Sequence, residues 1–249
     1  MKVLAVANQK GGVGKTTSAI ELAACLTQRE YKVLAIDLDQ QANLTRYLGA
    51  DATDNGIYKV LKREIKTKDA IVHTDEYDII PSSGALSKAP KEFGDAKDIL
   101  LLRAVLRDIE KDYDFVVIDN GPSRDVLLNM SYIASDFLII PAEAEEGSIA
   151  GIQSIFDDLK SYHEIGWSNA EVLGIILTKY EKTGMHEYIQ ERIREVLTEN
   201  QSDAKLWLVR KSIVASEAKS EETSMQAGKK NSKPAIDYRN LTDEIIDMI

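Results

Sequence analysis

Short apolar runs alternate along the chain with longer stretches in which apolar positions recur every three or four residues. The runs are Val3–Ala7, Val33–Ile36, Tyr77–Ile80, Phe115–Ile118, Phe137–Ile140 and Val172–Leu177. They are short, rich in strand-forming residues and mostly not alternating, the pattern of parallel strands buried on both faces. Between them the spacing predicts helices over Thr17–Arg29, with Ile20, Ala23, Ala24 and Leu26 on one side, and over Ile99–Lys111, with Leu102, Leu106 and Ile109. A third covers Met185–Leu197, with Ile189, Ile193 and Val196 or Leu197. Strand–helix alternation implies right-handed crossovers and a doubly wound, mostly parallel α/β sheet with helices on both faces. No repeat period, low-complexity tract or linker interrupts it, so residues 1–249 are expected to form a single domain. The stretch Ser216–Pro234 lacks periodicity and reads as an extended loop.

Composition fits this picture: 249 residues, 44% hydrophobic and 29% charged, an ordinary globular balance. Cys25, the one cysteine, excludes an internal disulfide and a cysteine-held zinc or iron–sulfur site within one chain, and fits a reducing compartment. His73, His163 and His186 have no metal-ligand spacing, and Trp167 and Trp207 read as packing residues. The five apolar residues after Met1-Lys2 are too few for a signal peptide, and no segment approaches the 18 apolar residues of a membrane span. A cytoplasmic protein is expected. The net charge of −10 argues against a general nucleic-acid coat. Locally, however, Lys205–Arg239 holds eight basic and four acidic residues, a basic segment in an acidic chain.

The chemistry concentrates in Gln9-Lys10-Gly11-Gly12-Val13-Gly14-Lys15-Thr16-Thr17, between the first strand and the first helix. That context suits a phosphate-binding loop. Its glycines let successive N–H groups turn inward on phosphate oxygens, and the helix N-terminus adds partial positive charge. Lys15 supplies a compact cation for the terminal phosphates, and the Thr16 hydroxyl is a ligand for Mg²⁺. Asp37-Leu38-Asp39-Gln40-Gln41-Ala42-Asn43 follows the second strand, and its two carboxylates emerge where open sheets bind ligands. From the residues alone, a pair of helix-capping acids is the other reading. Val116-Val117-Ile118-Asp119 is an apolar strand ending in a carboxylate, the Walker B pattern in which Asp119 holds the Mg²⁺ shell.

Gln9 stands where the simple phosphate-loop pattern has glycine, and Lys10 is an additional lysine at the loop's start. This deviant Walker A motif, KGG-x-GKT, resembles the ParA/MinD group of P-loop ATPases. The resemblance, closest to ParA-type partition ATPases, extends along nearly the whole chain. Ile80-Pro81-Ser82-Ser83, Asp112-Tyr113-Asp114-Phe115, Ile140-Pro141-Ala142-Glu143-Ala144-Glu145 and Arg210-Lys211-Ser212-Ile213-Val214-Ala215-Ser216-Glu217-Ala218 all match family segments. It implies a P-loop fold, ATP and Mg²⁺ as cofactors, and residues Lys10 to Thr17 as the nucleotide loop. It further implies an ATP-dependent homodimer in which Lys10 reaches the partner's nucleotide. By the same resemblance Asp39 orients the attacking water, Asp37 supports the Mg²⁺ shell or Lys15, and Arg210 and Ser212 lie by the adenine. Gln40 and Ala42 replace the family's Pro and Gly, Gly121 replaces a Pro after Asp119, and Arg210 and Ser212 replace Pro and Asn.

A slow ATPase, stimulated by a ParB-like partner and binding DNA non-specifically to move a plasmid, chromosome or other cargo, is what the resemblance implies. The basic segment, with Arg192 and Arg194 nearby, would supply phosphate contacts, though the family's second arginine there is Val214; an ordinarily charged surface is the other reading. The protein would be nucleoid-associated if DNA is bound. Other options are a regulatory protein of this fold that does not use DNA, one that binds ATP without turnover, and a MinD-like membrane protein. The last is disfavoured because Leu241–Ile249 is acidic, which anionic lipid repels, and its apolar positions suit packing onto the core. Relatives of the nitrogenase iron protein need cysteines that this chain lacks.

Overall fold

Every apolar run becomes a strand because it is enclosed on both sides. The computed structural model describes residues 1–51 and 55–249. Among these, one seven-stranded sheet is built from β1 (Lys2–Val6), β2 (Val33–Leu38), β3 (Asp78–Ile80), β4 (Phe115–Asn120), β5 (Phe137–Ala142), β6 (Glu171–Tyr180) and β7 (Lys205–Arg210). The order is β3-β2-β4-β1-β5-β6-β7, with every neighbouring pair parallel. The helices are α1 (Lys15–Thr27), α2 (Asn43–Tyr47), α3 (Ile57–Leu61), α4 (Ala89–Glu92), α5 (Leu101–Arg107) and α6 (Val126–Ala134). They continue with α7 (Glu146–Glu164), α8 (Gly184–Glu199), α9 (Val214–Ser220), α10 (Met225–Gly228) and α11 (Lys233–Met248).

Alternate strand residues feed two cores. One joins Leu34, Ile36, Val116 and Ile118 to Leu102, Leu127, Ile152 and Ile189. The other joins Leu4, Val6, Ala35 and Val117 to Ile20, Leu22 and Leu26 of α1 and Tyr238, Leu241 and Ile245 of α11. The doubly wound sheet is thus the one the periodicity predicts, and the acidic C-terminal stretch packs onto α1. No helix among the described residues is long and apolar enough to cross a membrane.

Three expectations are corrected. The strand β7 is not among the predicted runs although Leu206–Val209 is apolar, because it lies inside the basic segment, flanked by Lys205 and Arg210; Trp207 and Val209 are buried. Trp207 packs so closely that a Cβ at Gly174 would lie 2.0 Å from its ring, whereas Trp167 is partly exposed. Second, the helix predicted over Ile99–Lys111 starts as a 3₁₀ turn at Ala96–Leu100, set by a capping box between Asp95 and Asp98, and its α-helical part ends at Arg107. Third, Ser216–Pro234 is not an extended loop, since it holds the end of α9 and all of α10. Tertiary contacts order it: Glu76 accepts from Thr223 Oγ1 (3.0 Å) and Ser224 N (2.9 Å), and Glu21 of α1 accepts from Met225 N (2.7 Å) and Gln226 Nε2 (2.9 Å).

Burial pushes the Glu21 carboxyl up to about 7 from its ordinary 4.5, against the lowering pull of its two donors. The folded state therefore holds the proton more tightly than the unfolded chain. The stability this gives is complete below pH 4.5 and is lost as pH rises through 7. Urea denaturation at pH 5 and pH 8 should show a loss of about 3 kcal/mol in the wild type that Glu21→Gln does not share.

Candidate nucleotide-binding site

The site lies at the carboxyl ends of the central strands, where β1 opens into the glycine loop. Gly12 (φ +79°) and Gly14 (φ +92°) adopt left-handed backbone, which other residues resist, and this turns the loop into the start of α1. Asn8 braces its entry, donating to the Pro141 carbonyl (2.7 Å) and accepting from Lys10 N (2.9 Å). Thr178, at the end of β6, braces its exit: its hydroxyl lies 3.0 Å from the Val13 carbonyl and 3.1 Å from that of Ala142. A Cβ at Gly14 would sit 3.3 Å from the Thr178 methyl, so the loop is seated against β6.

Lys15 is buried, and its ammonium donates to the Lys10 carbonyl at 2.7 Å. Burial pulls it below the ordinary lysine range, while Asp119 and Asp39 pull the other way. Thr16 and Thr17 follow it into the cavity wall, Gly11 and Gly12 form the exposed rim, and Val13 is buried beneath. Lys10 is half-exposed, does not line the cavity of its own chain, and is ion-paired with Glu145 at the start of α7.

The three candidate carboxylates play different parts. Register pairs Asp37 on β2 with Asp119 on β4. Both oxygens of Asp37 are occupied: Oδ1 by Asp39 N (3.0 Å), Oδ2 by Thr45 N (2.9 Å) and Thr45 Oγ1 (2.8 Å). Asp37 thus anchors the turn that carries Asp39. Asp39 lines the cavity, accepts from Gln41 N (2.9 Å), and has its carbonyl held by Ser82 Oγ (2.8 Å). Gly121 backs directly onto it, with a Cβ there 3.4 Å from Asp39 Oδ1. Asp119 is fully buried, and neither carboxylate oxygen has a hydrogen-bond partner among the described residues. Burial and the neighbouring Asp37 charge raise its carboxyl well above the usual range.

An unpartnered buried carboxylate beside a threonine hydroxyl offers oxygen ligands for a hard divalent cation, with the neighbouring lysine left to face phosphate. Among the described residues no group of three or more His, Cys, Asp or Glu forms an all-protein cage. Mg²⁺ typically takes one or two protein ligands and completes its shell with phosphate oxygens and water, so Thr16 and Asp119 fit it.

From the loop a cavity of about 910 Å³ runs to the end of β7, where Arg210 and Ser212 line it. The Arg210 guanidinium is committed to Asp237 of α11 in a bidentate pair (2.6–3.1 Å), and Ser212 Oγ accepts from Val214 N to open α9. Tyr47 of α2 and Lys219 of α9 close the cavity, the ammonium 4.9 Å from the ring centroid. Asn8, Thr178, Lys179 and Tyr47 were not singled out from the sequence. Asn8 adjoins the motif, but the others are distant in sequence and come to it only through the sheet order.

A family model described as an AAA domain matches residues 1–172. A virulence-plasmid ParA family protein of Chlamydia psittaci is 32% identical over 254 residues, covering 98% of this chain and 94% of that protein. The chain belongs to the ParA family of P-loop ATPases. The chromosome-partitioning ATPase Soj of Thermus thermophilus is 31% identical over 246 residues, covering 98% of this chain and 94% of that protein. Among solved structures, a plasmid partition protein of Borrelia burgdorferi bound to AMPPNP superposes with a TM-score of 0.84 at 28% identity, covering 100% of this chain and 99% of that one.

The buried Thr45 serves Asp37 twice and also accepts from Ser82 N (2.9 Å). Thr45→Val removes one donor from a buried carboxylate and leaves the Ser82 amide without its acceptor. It is expected to cost about 3 kcal/mol in urea denaturation, with the switch turn 39–45 the first region to exchange its amides.

Proposed function

We propose that this chain is an ATP-dependent dimerising switch that positions a plasmid, chromosome or other cargo. The observation that carries the proposal is the split between its two loop lysines. Lys15 points into the cavity of its own chain, whereas Lys10 stays outside it, on Glu145. A cation on the rim of its own site is placed to complete a neighbour's. ATP then joins two copies, and its hydrolysis separates them.

In the proposed reaction, amides of residues 11–16 hold the phosphates, and Lys15 and the partner copy's equivalent of Lys10 stabilise charge on the transferring phosphoryl group. Asp39 orients the attacking water. The water oxygen bonds to the γ-phosphorus as the bond to the β–γ bridging oxygen breaks, and ADP leaves with that electron pair. Bound Mg²⁺ would neutralise phosphate charge, held by the Thr16 hydroxyl and through the Asp119 carboxylate. Asp37 serves by fixing the turn that carries Asp39. Arg210 and Ser212 wall the base end of the cavity. Turnover is slow until a ParB-like partner stimulates it, because one stabilising cation arrives only with the second copy. A second reading, binding without turnover, draws on Ala42, which takes φ +49° at the N-terminus of α2 where the family's Gly would be unstrained.

Non-specific DNA binding belongs to the dimer in this proposal. In one chain, Arg192, Arg194, Arg210, Lys211 and Lys229 are each paired with a carboxylate, and Lys219 faces the nucleotide cavity. Arg239 is bonded to Gln226 and the Lys230 carbonyl, so Lys205, Lys230 and Lys233 remain in the segment as the cations for a phosphate backbone, and two copies double them. Such a protein works in the cytoplasm, on the nucleoid when DNA is bound.

Light scattering tests the switch. Wild type and Asp39→Ala should dimerise with ATP and Mg²⁺ but not with ADP, Asp39→Ala with hydrolysis slowed at least about 100-fold. Lys10→Ala should bind nucleotide yet stay monomeric; a dimer of that variant defeats the trans-lysine reading. A salt-dependent plasmid shift should appear with ATP only, and no shift at low salt overturns the DNA part.

A further inference from the structure

A third lysine lies at the glycine loop, and the motif does not announce it. Lys179 closes β6 with φ +53°, a left-handed conformation that a side chain resists. The ladder with β7 shifts register there, between Leu177 and Tyr180, and resumes with Tyr180 opposite Arg210. Such an irregularity re-aims side chains beside functional sites. Here the ammonium lies 3.2 Å from the Gly12 carbonyl and 2.5 Å from Glu143 Oε1, and the residue lines the nucleotide cavity. Strained backbone of this kind persists only where its surroundings hold it.

The neighbouring residue acts on the neighbouring carbonyl. Thr178 holds Val13 as Lys179 holds Gly12, so two successive loop carbonyls are drawn to β6. A peptide group has its C=O and N–H on opposite sides. Fixing these carbonyls on the β6 side turns the following amides toward the other side, where a phosphate loop needs them. A free glycine-rich loop would have to order itself when ligand arrives, and ordering it beforehand improves affinity.

We propose that Lys179 is a positioning residue of the nucleotide site: bridging Glu143 to the Gly12 carbonyl, it holds the glycine loop in its phosphate-ready turn. The proposal rests on the nucleotide reading above and goes beyond it by adding a cation from the same chain. An ordinary surface ion pair would leave binding unchanged, as exposed pairs contribute little.

The test is titration of the wild type and three variants with AMPPNP and Mg²⁺, with melting temperatures measured alongside. Lys179→Met keeps the stem and loses the charge; it should weaken binding about tenfold. Lys179→Arg, which restores a cationic donor, should recover most of that loss. Lys179→Gly relieves the positive φ, so it should melt at or above the wild-type temperature yet bind as weakly as Lys179→Met. Binding by Lys179→Met within twofold of wild type, or affinity that simply follows melting temperature across all three variants, overturns the proposal. A wild type that binds no AMPPNP at all defeats the nucleotide reading itself, a separate result.

Discussion

Three carboxylates crowd the ends of two adjacent strands, and the Lys15 ammonium lies against two of them, Asp119 and Asp39. The parallel register of β2 and β4 leaves Asp37 and Asp119 no room to separate, and both are fully buried. Like charges so placed raise one another's proton affinity, and Lys15, itself buried, offsets only part of the repulsion. The molecule meets this excess in two ways. Asp37 is surrounded by donors from its own turn, which makes it a fastening for Asp39. Asp119 has none among the described residues, so one buried acid is left unpartnered at the strand ends before any loop is considered.

The sequence disclosed what is local. Six strands are apolar enough to be recognised singly, and the glycine loop carries its function in consecutive residues. The acids follow directly from strand ends. Whatever depended on distant partners stayed hidden. β7 is a four-residue apolar run set inside a basic segment; α10 has a weak pattern and stands because Glu76 and Glu21 grip the backbone at its start. The distinct parts of Asp37 and Asp119 could not be told apart from two strand-end aspartates, since the difference lies in Thr45, which only the folded turn brings to Asp37. Arg210 was placed at the cavity by its family segment, but its commitment to Asp237 follows from α11 crossing beside β7.

The segment after β5 connects these observations. Glu143 and Glu145 each hold a lysine of the loop region, Lys179 and Lys10 respectively. One lysine is bound to its own loop by Glu143 and the carbonyl of Gly12, whereas the other is paired with the half-buried carboxylate of Glu145 alone.

The first helix and the last hold each other along their length. Ser18 meets Tyr238 at 2.8 Å, and Arg29 reaches Asp243 and the Arg239 carbonyl. The glycine loop precedes by some two hundred positions the residues of α11 that wall the cavity above it. The cavity's wall is therefore complete only once α11 has been made and packed onto α1.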